Sequence, residues 1–178
     1  MALPVRMADS VQPHLIPQTF AKSPNGVLLY ADGAFACPPA EAARWPRKRW
    51  ITVARGGWNP HGAWELDVET GDATPEQALA FVRMKLEQGR AAGIYCDRSS
   101  VPDVVASVSA YSHEMVAEVD WHIATLDSHP WGPGGLCAWL RSQERPADLR
   151  PERIWAIQTT PMGTYDVSTV FGRPDWER

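Results

Sequence analysis

The sequence predicts an α/β protein built on a mostly parallel sheet. Short apolar runs typical of strands alternate with segments of helical periodicity between residues 27 and 170. Strands separated by helices form parallel sheets through right-handed crossovers. The 178 residues, 44% of them apolar, suit one domain with a substantial core. An open doubly wound sheet and a closed or partial barrel both fit this order, and periodicity does not choose between them.

The first 25 residues have a different character. They contain Pro4, Pro13, Pro17 and Pro24 and show no clear period. We therefore expect an extended Pro-rich N-terminal arm, residues 1–25, ahead of a single domain, residues 26–178. Such an arm would be either a disordered tail or a segment that docks on a neighbouring subunit.

The rest of the chain divides into expected strands and helices. The strands are expected at residues 27–32, 49–53, 64–70, 94–96, 120–127, 153–159 and 165–170. A short helix is expected at 38–45, and further helices from Thr74 to Gly93 and from Ser100 onward. Thr74 and Gln77 predict a capping box, as does the start at Ser100. The Pro- and Gly-rich stretch 128–153 is predicted to contain a turn at 132–135.

Charge and motif content exclude several functional classes. A formal charge of −4 and a pI near 5.7 argue against a general nucleic-acid binder. No apolar run reaches about 18 residues and no signal peptide is recognised, so we expect cytoplasmic synthesis and no membrane partner. The three distant cysteines predict free thiols. Nucleotide-binding glycine motifs and zinc-ligand spacings are missing from the sequence, so neither a cofactor nor a metal is expected.

The segment 64–70 carries an unusual set of acids. In a strand, Glu65, Asp67 and Glu69 share one face, while Trp64, Leu66 and Val68 share the other. Three like charges on a half-apolar strand reduce stability, because they repel one another and resist burial. The chain then enters a loop and a helix, as at the functional end of a strand in an α/β protein. We therefore expect a site here.

Further acids lie at or near the ends of other predicted strands. They are Asp32, Asp97, Asp127 and Asp166. The carboxyl ends of parallel strands lie on one side of a sheet, so these groups could converge, although some could equally be helix caps. Converging carboxyls with different protonation states suit glycoside hydrolysis. His122, which shares a strand face with Asp120, is more consistent with a packed core histidine than with a ligand.

A set of motifs in order resembles a known family. The motifs are Tyr30-Ala31-Asp32, Leu66-Asp67-Val68-Glu69, Ala92-Gly93-Ile94-Tyr95, Trp121-His122-Ile123-Ala124, Trp155-Ala156-Ile157-Gln158 and Tyr165-Asp166-Val167-Ser168. They resemble the family 25 glycoside hydrolases, which are muramidases with an irregular β/α barrel. The chain is still more similar to divergent glycoside-hydrolase-like domains of actinobacteria and their phages. The resemblance implies an irregular or incomplete TIM-like barrel over residues 27 to 171.

The resemblance also implies roles for individual residues. Glu69 would be the general acid, and Asp67 would stabilise the transition state or position the substrate's acetamido group. Asp32 and Asp166 would complete an acidic floor. Aromatic and amide side chains would line the cleft and its rim, namely Tyr95, Trp121, Gln158 and Trp58.

One departure from the family leaves two functions open. Only 34 residues separate Asp32 from Asp67, and the family's Tyr-His-Phe strand is absent between them, which predicts a missing or rebuilt barrel element. The first function is cleavage or binding of peptidoglycan or another glycan. The second is a catalytically silent virion structural protein, a capsid or tail component, with other virion proteins or its own copies as partners through the arm.

Overall fold

Eight strands form a closed barrel in the computed structural model, which describes residues 4–53, 62–127 and 129–171. The strands, in chain order, are β1 (Val5–Asp9), β2 (Gly26–Tyr30), β3 (Lys48–Thr52), β4 (Glu65–Val68), β5 (Ala92–Asp97), β6 (Val119–Ala124), β7 (Ile154–Pro161) and β8 (Asp166–Val170). Each strand pairs with the next, and β8 pairs with β1 to complete the circle.

The barrel is mixed rather than wholly parallel. Strands β1 to β7 all run in the same direction, whereas β8 is antiparallel to both of its neighbours, β7 and β1. An open doubly wound sheet is therefore wrong for this chain. Because β8 is reversed, its first residue lies beside the last residue of β1, in the register Asp9 opposite Asp166.

Helices cover the barrel unevenly. They are α1 (Pro39–Ala42), α2 (Pro75–Glu87), α3 (Val101–Ser109), α4 (His113–Glu118) and α5 (Pro133–Arg141). The last four all lie between β4 and β7, and β7 leads to β8 without a helix, so strands and helices do not alternate regularly. None of the helices in the described ranges has the length and apolarity that a membrane crossing requires.

The predicted N-terminal arm is wrong, because this segment contains the first barrel strand. β1 forms parallel pairs with β2 and antiparallel pairs with β8. Met7 and Ala8 are fully buried, and Ile16 and Phe20 pack on the same barrel. The domain therefore starts before residue 26, and the segment is occupied within its own fold. The eight strands also show that the shortened stretch before Asp67 does not leave a gap in the barrel.

Side chains alternate between the barrel interior and the helix layer. On β4, Leu66 and Val68 pack outward in the cluster that includes α2 to α5. Glu65 and Asp67 are buried without belonging to that apolar layer, as strand alternation predicts. Trp64 departs from the prediction: it lies before β4 begins and packs with the barrel-interior cluster instead of with Leu66.

Of the three helix ends predicted from the sequence, at Thr74, Gly93 and Ser100, the first has the predicted cap and the other two differ. The capping box at Thr74 is confirmed: its hydroxyl accepts from the Gln77 N–H, and the Gln77 side chain accepts from the Thr74 N–H. Gly93 does not end α2, which stops at Glu87, and instead lies inside β5. No side-chain cap is made by Ser100.

The one predicted turn was wrong. The stretch 132–135, which was expected to be a turn, begins α5, with Gly132 at the N-cap and Pro133 in the first helical position.

Candidate active site

Four carboxyl side chains meet where the parallel strands end, at what we call the mouth of the barrel. Asp9 ends β1, Asp67 lies near the end of β4, Glu69 follows β4, and Asp166 begins the reversed strand β8. Their charges influence one another's protonation. This group, Asp9, Asp67, Glu69 and Asp166, is called the acid cluster below.

Asp9 is a member that the sequence reading missed. Its Oδ2 atom is buried and has no hydrogen-bond partner in the described part of the chain. Burial raises its pKa from 3.8 to about 7; His122 opposes the rise, while Asp166 and Glu65 add to it. The signal that could have found it is the short run Met7-Ala8-Asp9, an apolar strand end followed by an acid.

Asp67 is the most enclosed of the four, with 1% of its surface exposed. The Tyr30 hydroxyl donates to its Oδ2 atom at 3.1 Å, whereas Oδ1 is buried without a partner among the described residues. Burial, followed by the charge of Glu69, raises the pKa of Asp67 well above its usual range, and the Tyr30 hydrogen bond opposes this rise. Asp67 therefore resists ionisation more than an exposed aspartate does.

Glu69 is less buried than Asp67 and lies beyond the last residue of β4. Tyr95, on the neighbouring strand β5, donates a hydrogen bond to its carboxyl group. Burial raises the pKa of Glu69, and the charge of Asp97 raises it further, while the Tyr95 hydrogen bond lowers it. Glu69 thus combines partial exposure with a tendency to hold a proton.

Gln158 and Asp166 form the opposite side of the mouth. The Gln158 side chain hydrogen-bonds the Asp166 carboxylate, which partly offsets the rise in the Asp166 pKa that burial causes. Gln158 is almost fully buried, and its Oε1 atom has no partner in the described ranges. Together with Asp67 Oδ1, it provides a buried acceptor without a protein donor, as a site built for a donor group on a ligand would.

Asp32 does not join the acid cluster. One of its carboxylate oxygens accepts a hydrogen bond from the Thr52 hydroxyl, and the other accepts from the Val53 N–H at 2.9 Å. The carboxylate therefore ties the end of β2 to the end of β3. Its predicted place in the acidic floor was wrong, and Asp9, from the strand that the sequence reading missed, occupies that position.

Two predicted cleft residues are not found at the mouth. Trp121 is fully buried and packs in the layer between the barrel and its helices. Successive strand side chains point to opposite faces, so Trp121 points outward because its neighbour His122 points inward. Trp58 lies outside the described residues. The other two predicted residues, Tyr95 and Gln158, are both in the barrel interior beside the acid cluster.

The remaining acids at strand ends have local structural roles. Asp97 accepts hydrogen bonds from the N–H groups of Ser99 and Ser100, at 2.7 and 3.1 Å, at the start of α3. Burial opposes its ionisation, but these bonds and those from the serine hydroxyls lower its pKa. Asp127 pairs with Arg98 at 2.7 Å and accepts from the Trp131 indole N–H at 2.9 Å.

The predicted core histidine lies beneath the acid cluster. His122 is fully buried and contacts Glu65, the deeper of the two acids on β4. Within the described ranges, no group of three or more histidine, cysteine and carboxylate side chains could hold a metal ion. Cys37, Cys96 and Cys137 are all buried free thiols.

Comparison with known proteins identifies a shared fold. A 1.07 Å crystal structure of an uncharacterized B. stearothermophilus protein superposes with a TM-score of 0.60, at 11% sequence identity, over 95% of this chain and 97% of that chain. At this identity the similarity concerns the fold alone. No protein-family model and no curated protein sequence matches the chain.

Proposed function

We propose that this chain is a glycoside hydrolase-like domain that cleaves the glycan of cell-wall peptidoglycan in the manner of a muramidase. The observation that carries the proposal is the acid cluster itself. It brings together carboxyls from three separate parts of the chain, and these differ in exposure and in hydrogen bonding. Glycoside hydrolysis requires such a difference, because one acid donates a proton while another carries negative charge.

Glu69 is the general acid in this proposal. It is partly exposed, so a glycosidic oxygen can reach it, and its raised pKa favours the protonated form that must be donated. The hydroxyl of Tyr95 orients the carboxyl group. The position of Glu69, two residues after Asp67 at the end of β4, is also the position that the family resemblance gives to this role.

The negative charge comes from the opposite side of the mouth. Asp9 and Asp166 lie directly across the β1–β8 pair, and the charge of Asp166 raises the pKa of Asp9. Because Asp166 opposes the ionisation of Asp9, one of the two carboxyls loses its proton before the other and supplies a single anion. That anion would stabilise the cationic sugar in the transition state.

Asp67 and Gln158 would bind the substrate rather than exchange its proton. Asp67 is too enclosed to reach a leaving group, but its Oδ1 atom and the Oε1 atom of Gln158 can each accept an N–H. The acetamido groups of peptidoglycan sugars supply such N–H donors. This role for Asp67 agrees with the positioning function that the resemblance implies.

The virion structural alternative has less support than the sequence suggested. It depended on a missing barrel element and on a Pro-rich arm available for other subunits. The barrel has eight strands, and the proposed arm contributes β1 to it. No observation in the described residues favours a second function over glycan cleavage.

The test is release of new reducing ends from purified peptidoglycan. The wild-type chain should release them, and Glu69→Gln should lower the rate by about a hundredfold or more because the general acid is lost. Glu87→Gln is a matched control, since that side chain is 69% exposed at the end of α2. The proposal is overturned if the wild type releases no reducing ends, or if Glu69→Gln and Glu87→Gln behave alike.

A further inference from the structure

An open groove lies at the mouth of the barrel, between the loop that follows β1 and the loop that follows β2. Its volume is about 260 Å³, which is below the range of about 300–1,000 Å³ typical of small-molecule pockets. The groove therefore suits a substituent of a ligand rather than a whole ligand. We call it the β1–β2 groove, and its apolar walls are formed by Val11, Pro13, Ala34, Phe35, Ala36 and Pro38.

The loop after β2 holds Phe35 at the surface. Gly33 turns the chain with a φ of 76°, a conformation that favours glycine, and a Cβ atom at this position would collide with Val53. A single 3-10 turn, Gly33–Phe35, follows, and the Cys37 N–H then donates to the Tyr30 carbonyl at 2.8 Å. Phe35 is thus fixed in place while 43% of its surface stays exposed.

The loop after β1 forms the facing wall. The Ser10 hydroxyl donates to the Thr164 carbonyl at 2.6 Å and accepts from the Gln12 N–H at 2.9 Å. These bonds order the loop on both sides of Val11, which is 45% exposed. Two ordered loops that expose large apolar side chains in one groove indicate a binding surface.

The β1–β2 groove is continuous with the acid cluster. The Phe35 ring packs edge-on against the Tyr30 ring, with centroids 5.8 Å apart, and the Tyr30 hydroxyl donates to Asp67. On the facing wall, Val11 is two residues beyond Asp9. A substituent that leaves the ligand beside the group bound at Asp67 can therefore enter the groove.

The groove favours an uncharged substituent with small apolar groups. Glu41, which also lines it, is neutralised by the Arg44 guanidinium through two hydrogen bonds of 2.7 and 2.8 Å. A second sugar ring would bring several hydroxyls that need partners, and the side chains of Gln12 and His14 offer few. The peptide stem of peptidoglycan begins with a lactyl group and an alanine, each with one methyl group. It is attached to the sugar carbon next to the one that bears the acetamido group.

We propose that Phe35 and Val11 are specificity-determining residues: the β1–β2 groove receives the lactyl-alanine start of the peptide stem, so the site prefers glycan that carries its stems. This inference rests on the proposed function, because Asp67 must hold the acetamido group of the same sugar. The stem takes no part in bond cleavage. Its contact with the groove contributes binding energy that aligns the sugar with Glu69.

Binding to the groove is tested by methyl NMR on the wild-type chain, without an activity assay. The probe is N-acetylmuramyl-L-alanyl-D-isoglutamine, and N-acetylmuramic acid is the matched probe without peptide. The Val11 methyl signals, assigned with Val11→Ala, should shift with the dipeptide probe and shift several-fold less with the sugar alone. Val11 signals that do not move with the dipeptide probe overturn the inference.

Specificity is tested by the release of reducing ends from intact peptidoglycan and from the same glycan stripped of its stems by an amidase. Stripping should lower the wild-type kcat/KM about tenfold, because the alanine is lost and a charged carboxylate is left at an apolar wall. Phe35→Ala should lower kcat/KM about tenfold on intact peptidoglycan, through the lost apolar contact, and leave it unchanged on stripped glycan. Tyr111→Ala is the matched control, since that aromatic side chain is 60% exposed between α3 and α4 and should change neither rate.

The outcomes separate this inference from the proposed function. Equal wild-type kcat/KM values on the two substrates overturn the inference while cleavage, and with it the proposed function, stands. An equal loss on both substrates in Phe35→Ala also overturns it, because Phe35 would then act only by supporting Tyr30. If neither substrate is cleaved but Val11 responds to the dipeptide probe, the groove binds the stem and the proposed function fails.

Discussion

Asp9→Asn should make the folded chain more stable above pH 7. In the unfolded chain this carboxyl ionises near 3.8, whereas burial in the fold raises its pKa to about 7. The difference of about 3 pH units corresponds to about 4 kcal/mol at 1.36 kcal/mol per unit. Asp9 is partly exposed, which reduces this penalty, so we expect a gain of about 2 kcal/mol. Asparagine has the same shape and carries no charge, and it removes the penalty without removing a hydrogen bond to Oδ2.

The pH dependence follows from the direction of the shift. Between pH 4 and pH 7 the unfolded chain has lost the Asp9 proton while the folded chain still holds it. The contribution of Asp9 to stability is therefore full below pH 4 and is lost as the pH rises toward 7. Urea unfolding followed by tryptophan fluorescence at pH 4, 5, 6, 7 and 8 measures this slope, since the chain contains nine tryptophans.

The comparison that decides is between two asparagine variants. Asp9→Asn should match the wild type at pH 4 and exceed it at pH 8. Asp148→Asn is the control, because the Asp148 side chain is 89% exposed, and its profile should parallel that of the wild type. If Asp9→Asn also runs parallel to the wild type from pH 4 to pH 8, the carboxyl is not held protonated by burial and the reasoning is refuted.

Two further substitutions test the interior of the barrel. Tyr30→Phe removes the hydrogen-bond donor to Asp67, so the pKa of that carboxyl should rise further. The variant should lose about 1 kcal/mol of stability in urea unfolding and should release reducing ends more slowly. Unchanged stability and rate would contradict this prediction. Gly93→Ala places a methyl group against Glu65 and should cost about 1–3 kcal/mol of stability by overpacking, again measured by urea unfolding. A change below about 0.5 kcal/mol would show that the position beside Glu65 tolerates a side chain.

The sequence predicted the parallel strands better than it predicted where the barrel begins. The alternating face of the acidic strand could be read from Glu65, Asp67 and Glu69, because strand periodicity fixes it. β1 could not be read, since its five residues include an exposed Arg6 and lie among prolines. Its burial comes from pairing with β8, about 160 residues away, and local propensity does not report such a contact.

The site prediction failed at residues whose side chains could either line the site or support the barrel. Asp32 and Asp9 both follow a short apolar strand, and only the fold shows that Thr52 and Val53 occupy the carboxylate of Asp32. Trp121 was assigned to the cleft, but the inward position on β6 belongs to His122. These choices depend on which face of a strand points into the barrel, and that is decided only when the barrel closes.

The most direct test of the account is to identify the products released from peptidoglycan. Mass spectrometry of the digest should show glycan fragments with N-acetylmuramic acid at the new reducing end, and these should be about a hundredfold fewer with Glu69→Gln. Fragments ending in another sugar, peptide products, or an undigested wall with the wild-type chain would contradict a muramidase site at the acid cluster.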